Sequence, residues 1–82
     1  MPDDDVLTRV LDLVNGLLRP SIGGLQAGDS LSKSGLDSIA MVQLLALVEE
    51  SFEVSLRPAD LTPENFATPQ SLAGLVRRLG ER

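Results

Sequence analysis

The sequence predicts an all-α fold, a four-helix bundle of three long helices and one short one, with a long loop between the first and second. Three observations predict it. Apolar residues recur at three- and four-residue steps in three separate stretches, beginning at Val6, Met41 and Leu72, which is the spacing of one helical face. Start and stop signals bracket them: Asp3 and Pro20 around the first, Thr68-Pro69 and Gly80 around the last. The chain has 82 residues, which leaves room for one domain, residues 1–82, against a typical size of about 100–150.

In the first helix Val6, Leu7, Val10, Leu11, Val14, Leu17 and Leu18 form one stripe. Asp3 is expected to cap it, and Asp4 and Asp5 suit its positive N-terminal end. Pro20 keeps Arg19 out of helical geometry and ends it. From Pro20 to about Leu36 no periodic pattern appears, while Gly23, Gly24, Gly28 and four serines do. Such a loop exceeds the usual ceiling of about 12–15 residues, so it is either disordered or packed for a purpose. Ile22, Leu25, Leu31 and Leu36 favour packing.

The second helix is expected from Asp37 or Ser38 to Phe52 or Glu53. Met41, Leu44, Leu45, Val48 and Phe52 share an arc of about 100°, the natural core face. On the far side Ile39, Val42 and Ala46 make a second apolar strip, interleaved with Gln43, Glu49, Glu50 and Glu53. After a connector with Leu56 and Pro58, Thr62 as cap and Pro63 as first residue predict a short helix through Phe66. Thr68 and Pro69 open the last helix, which carries Leu72, Leu75, Val76 and Leu79. Arg77 and Arg78 sit at its negative end, and Gly80 is its expected stop.

Composition narrows the chemistry. Seven Lys and Arg against twelve Asp and Glu give a net charge of −5, which repels a phosphate backbone and disfavours nucleic acid as a partner, a helix-turn-helix reading included. With no cysteine and no histidine, Cys/His metal sites, thiol nucleophiles, disulfides and imidazole-based triads are excluded. The longest uncharged run, Asn65 to Val76, falls well short of the roughly 18 residues that span a bilayer. Met1-Pro2 followed by three aspartates is the opposite of a basic export signal, so a cytoplasmic location and no membrane partner are expected.

Gly35-Leu36-Asp37-Ser38-Ile39 lies where the loop meets the second helix. Ser38 is the candidate reactive group. Lacking a base to take its proton, it cannot act as an activated nucleophile on its own, but another enzyme can modify it. A helix N-terminus suits an attached phosphate, because free N–H groups and the dipole both favour negative charge. Asp37 could help hold a transferase's metal ion. Cap preference alone reads Asp37 or Ser38 simply as a helix cap.

Taken with Glu49-Glu50-Ser51-Phe52, Leu61-Thr62-Pro63-Glu64-Asn65-Phe66 and Thr68-Pro69-Gln70-Ser71-Leu72, that stretch resembles the acyl carrier protein superfamily over nearly the whole chain. The resemblance implies an acyl-carrier-like bundle and a non-catalytic carrier that other enzymes use as a substrate. Ser38 would then carry 4′-phosphopantetheine, whose thiol replaces the one the chain lacks. It also implies partners: a phosphopantetheinyl transferase, an acyl- or aminoacyl-loading enzyme, and a ketosynthase or other downstream enzyme meeting a monomer. The helix after the serine is the family's docking face, which gives Ile39, Val42 and Ala46 a use, with Gln43, Glu49, Glu50 and Glu53 around them. Ala40 and Gln43 stand where fatty-acid-synthesis carriers typically have acids. That departure points to a discrete carrier of a specialised pathway, such as polyketide or antibiotic biosynthesis, or to an aminoacyl carrier. The competing reading is a helical adaptor that docks a partner through the same strip without covalent cargo.

Overall fold

The computed structural model of the chain describes residues 2–18 and 24–80. Their order is α1 (Pro2–Leu18), α2 (Ser38–Phe52), a 3-10 turn (Pro58–Asp60) and α3 (Pro69–Gly80), with no strand among the described residues. α1 packs against both α2 and α3. The core they enclose holds Val10 and Val14 of α1, Leu44 and Val48 of α2, and Leu72, Ala73, Leu75, Val76 and Leu79 of α3.

α1 starts two residues earlier than expected, at Pro2. Asp3 is therefore a helical residue and not the cap. Proline costs nothing at this position, since its missing N–H is one that a first turn leaves unpaired anyway. The helix ends at Leu18, while Arg19, Pro20 and Ile22, invoked to end it or to pack the loop, lie outside the described residues.

The expected short fourth helix is a single turn over residues 63–66. Phe66 N–H reaches Thr62 O at 3.3 Å, and Thr62 Oγ1 accepts from Asn65 N–H at 3.2 Å. The turn does not propagate because the next residues already serve α3. Ser71 N–H donates to Thr68 Oγ1 at 3.1 Å, and Thr68 N–H donates back to Ser71 Oγ at 3.0 Å. This reciprocal cap uses serine where glutamate is the commoner partner. Gly80 is the last helical residue of α3 and not the residue beyond it.

The long loop is packed. Leu31 is fully buried and Leu25 nearly so. Its polar backbone is matched to the rest of the molecule, as buried backbone must be. Leu25 N–H donates to Asn15 Oδ1 at 2.7 Å, and Asn15 Nδ2 donates to Leu11 O at 2.9 Å. Further on, Leu31 N–H donates to Ala67 O and Gln70 N–H to Ala27 O, both at 2.9 Å. The loop is thereby fastened to α1 at one point, to the segment just before α3 at a second and to the first turn of α3 at a third. No helix among the described residues is long and apolar enough to cross a membrane.

Candidate functional site

The end of the loop sets the site. Residues 31–35 form a turn in which Ser34 N–H donates to Ser30 O at 3.1 Å and Leu36 N–H to Leu31 O at 3.0 Å. Gly35 closes it with φ +111°, a backbone state that a side chain disfavours. The chain then runs through half-buried Leu36 to Asp37, whose extended backbone (φ −96°, ψ −172°) precedes the first residue of α2.

Asp37 Oδ1 accepts from Ala40 N–H at 2.8 Å. The cap is therefore Asp37, and Ser38, the first helical residue, stands exposed beside it. Its hydroxyl sits at the end of a helix whose first N–H groups have no intrahelical acceptor. An exposed hydroxyl outside the cap, at the positive end of a helix, fits attachment of a phosphodiester-linked arm. Leu36 and Met41, which precede and follow Ser38 in sequence, border a cleft of about 530 Å³. Leu36, Met41, Leu45, Leu61 and Phe66 supply its apolar walls, and Ser30, Ser32 and Thr62 also line it. The helical wheel places Met41 and Leu45 in the core, and here the structure differs. They are half-buried because this side of α2 faces the cleft, so the predicted core arc is shared between the interior and an opening to solvent.

The second strip of α2 is at the surface. Ile39 is 73% exposed and Val42 66%, with Ala46, Gln43, Glu50 and Glu53 also exposed. Glu49 departs from that set. It is half-buried, and its Oε2 accepts from Leu56 N–H at 2.8 Å, so it ties the connector to α2. Phe52 is half-buried too, with the Arg9 guanidinium 4.3 Å from its ring centroid and Arg9 Nη2 donating to Ser51 O.

Sequence reasoning missed the polar groups that hold the connector in place. Asp60 is 5% exposed, and its Oδ2 accepts from Arg57 N–H at 2.9 Å. Asn65 Nδ2 donates to Asp60 O at 2.8 Å, and Asn65 Oδ1 accepts from Arg78 Nη2 at 2.9 Å. Pro58 followed two residues later by an acid was a usable signal, since an acid at the third position of a turn can reach back to the N–H before it. Asn15 carried none, because an asparagine within a helix usually faces solvent.

The profile of the phosphopantetheine attachment site family matches residues 8–76. Aminoacyl carrier protein 1 of Bradyrhizobium diazoefficiens is 32% identical over 74 residues, 88% of this chain and 82% of the relative. Aminoacyl carrier protein 2 of the same organism is 30% identical over 74 residues, 88% and 83% of the two chains. Among solved structures, a chain from the Bradyrhizobium japonicum glycine:[carrier protein] ligase complexed with glycylated carrier protein superimposes with a TM-score of 0.72. It is 30% identical, over 85% of this chain and 97% of that one. A chain from the same ligase complexed with cognate carrier protein and an analogue of glycyl adenylate gives 0.74 at 31% identity, over 89% and 97%. With a match over most of its length, the chain belongs to the phosphopantetheine attachment site family, within the acyl carrier protein superfamily, as a carrier that takes 4′-phosphopantetheine covalently and is a substrate of other enzymes instead of a catalyst.

Proposed function

We propose that the chain, acting as one domain over residues 1–82, is an aminoacyl or acyl carrier whose arm is attached to Ser38 Oγ. The observation that supports this most directly is the division of labour at the start of α2: Asp37 makes the cap, and Ser38 is left exposed. When bound, the arm supplies the thiol on which cargo is held as a thioester. Around it, the Leu31–Gly35 turn and the Asp37 cap set where the serine stands, and the positive end of α2 would favour the arm's phosphate. An amino acid is the favoured cargo, because both relatives are named for aminoacyl cargo and the matching solved chains come from complexes of a glycine ligase. This cargo takes precedence over a polyketide or antibiotic intermediate.

The partners that follow are a phosphopantetheinyl transferase, an aminoacyl-loading ligase and a downstream acyl-transferring enzyme such as a ketosynthase, all meeting a cytoplasmic monomer. Ile39, Val42 and Ala46 form the proposed docking strip, with Gln43, Glu50 and Glu53 at its edge. Glu49 is left out because its carboxylate is engaged by the connector. Asp37 keeps its proposed contact with the transferase's metal ion.

Incubation with coenzyme A and a broad-specificity transferase, followed by intact mass measurement, tests the assignment. The parent should gain one phosphopantetheine, and Ser38→Ala should gain none while melting as the parent does. Modification of the variant to the parent's extent overturns the assignment.

A further inference from the structure

The turn that leads to Ser38 carries the chain's only lysine, Lys33. Its backbone is held in place: Lys33 N–H donates to Ser30 Oγ at 3.3 Å, and on either side Ser34 N–H and Leu36 N–H fold back onto Ser30 O and Leu31 O. Its side chain stands exposed, and the amine has no hydrogen bond or ion pair among the described residues. The hydroxyls of the same turn are engaged. Ser34 Oγ donates to Ser30 O at 2.8 Å, and Ser30 Oγ and Ser32 Oγ form a hydrogen-bonded pair at 3.2 Å. Lys33 precedes Ser38 by five positions, so their α-carbons lie at most about 18 Å apart, and the folded turn brings them closer. A phosphopantetheine arm has the backbone length of about five extended residues. Its thiol end, carried on Ser38, therefore reaches the Lys33 amine.

We propose that Lys33 is a self-modification site, whose amine takes the cargo from the arm on Ser38. The proposal rests on the carrier reading, which supplies the thioester. In this step Lys33 Nζ attacks the thioester carbonyl. The C–N bond forms, the C–S bond breaks, and a proton from nitrogen ends on sulfur. An amide and a free thiol result, with nothing else consumed. The chemistry of the turn selects the lysine. A hydroxyl needs a base to become a nucleophile, whereas a neutral amine attacks unaided, and the chain has no thiol or imidazole of its own to compete. Tethering replaces catalysis here, because a short flexible link holds the two groups at an effective concentration of about the millimolar range. An amide is a far poorer acyl donor than a thioester, so the transfer runs one way and the emptied arm can be loaded again. A carrier marked in this way holds two cargo groups, one labile on the arm and one permanent on Lys33.

The test loads the full chain with glycyl-coenzyme A and a broad-specificity transferase, removes the excess and follows the protein with time. Transfer leaves the mass unchanged, so samples are treated with hydroxylamine, which strips thioesters and spares amides. The parent should develop a hydroxylamine-resistant glycyl group, which tandem mass spectrometry should place on Lys33. Because the chain has no cysteine, a thiol reagent counts the arm's thiol alone, and that thiol should appear in step with the resistant glycine. The rate should be unchanged on dilution, as an intramolecular step requires. Lys33→Arg, which keeps the charge, should load normally and remain fully sensitive to hydroxylamine. Ser38→Ala mixed with free glycyl-coenzyme A at equal concentration should be glycylated on Lys33 at least tenfold more slowly. Free thiol without resistant glycine, a rate that falls on dilution, resistant glycine in Lys33→Arg to the parent's extent, or equal rates with and without the tether each overturn the proposal. A parent that takes up no arm overturns the carrier reading and this proposal together, whereas normal loading without transfer overturns this proposal alone.

Discussion

At the start of α2 a single residue of offset separates the helix cap from the residue proposed to carry the arm. Asp37 and Ser38 are both good N-cap residues, and sequence preference alone could not say which one caps. The hydrogen bond from Ala40 N–H to Asp37 Oδ1 decides it. Replacing Asp37 by Ala should therefore cost about 0.5–2 kcal/mol by loss of the cap. Ser38→Ala should leave the denaturant midpoint unchanged, and equilibrium unfolding of the two variants separates the roles. Gly35 has a role that the motif alone did not reveal. Its φ of +111° lies where a β-carbon strains the backbone. The space that a Cβ would enter is open, with no atom within 4 Å, so the penalty is conformational and not steric crowding. Gly35→Ala should cost about 1–3 kcal/mol. It should also slow modification of Ser38, because the same turn aims the start of α2. A midpoint and a modification rate both equal to the parent's would contradict this.

Among the elements, α2 shows how far helical periodicity reaches. It identified the inward arc and the outward strip, and Leu44 and Val48 are indeed completely buried. It could not show that Met41 and Leu45 border a cleft, because a wheel records direction from the helix axis and not what lies opposite. The same limit applies to Phe52, which packs at the rim under Arg9. Leu72→Ala, at a site with no exposure, should cost about 2–5 kcal/mol. Phe52→Ala should cost less than that, and urea unfolding of the pair ranks them. On the outer face, Val42→Asp changes a residue that is 66% exposed and should move stability by no more than about 0.5 kcal/mol. If the strip docks partners, the same change places an unpaired charge at the contact and should slow loading by at least tenfold, a few kcal/mol in the association step. Matched measurements of melting temperature and loading rate on modified protein distinguish docking from packing. A variant that melts early and loads only in proportion would assign Val42 to the core.

For the molecule as a whole, helix order, the identity of the core stripes and the position of the long loop were legible, because each rests on local spacing and on proline and glycine signals. The fourth helix was not. Thr62-Pro63 is a good start signal, but the competing claim of Thr68 and Ser71 on the next turn lies outside a local pattern. That the loop packs was legible in Leu25 and Leu31, both buried, but its fastenings were not, since Asn15, Ala67 and Gln70 hold it from segments far away in sequence. Those distant fastenings change what kind of unit the loop is. A segment held by its own turns opens by itself, whereas Leu31 and Gln70 each donate to a carbonyl across the molecule and must share the fate of α3. Their amide protons should thus trade with deuterium at the slow pace of the helical interior, in one cooperative step with Leu72 and Val76, and not at the pace of a surface loop. A chain cut short before Pro69 would lose the Gln70 fastening together with the α3 side of the core, and the segment leading to Ser38 would be released although no residue near the serine had been touched.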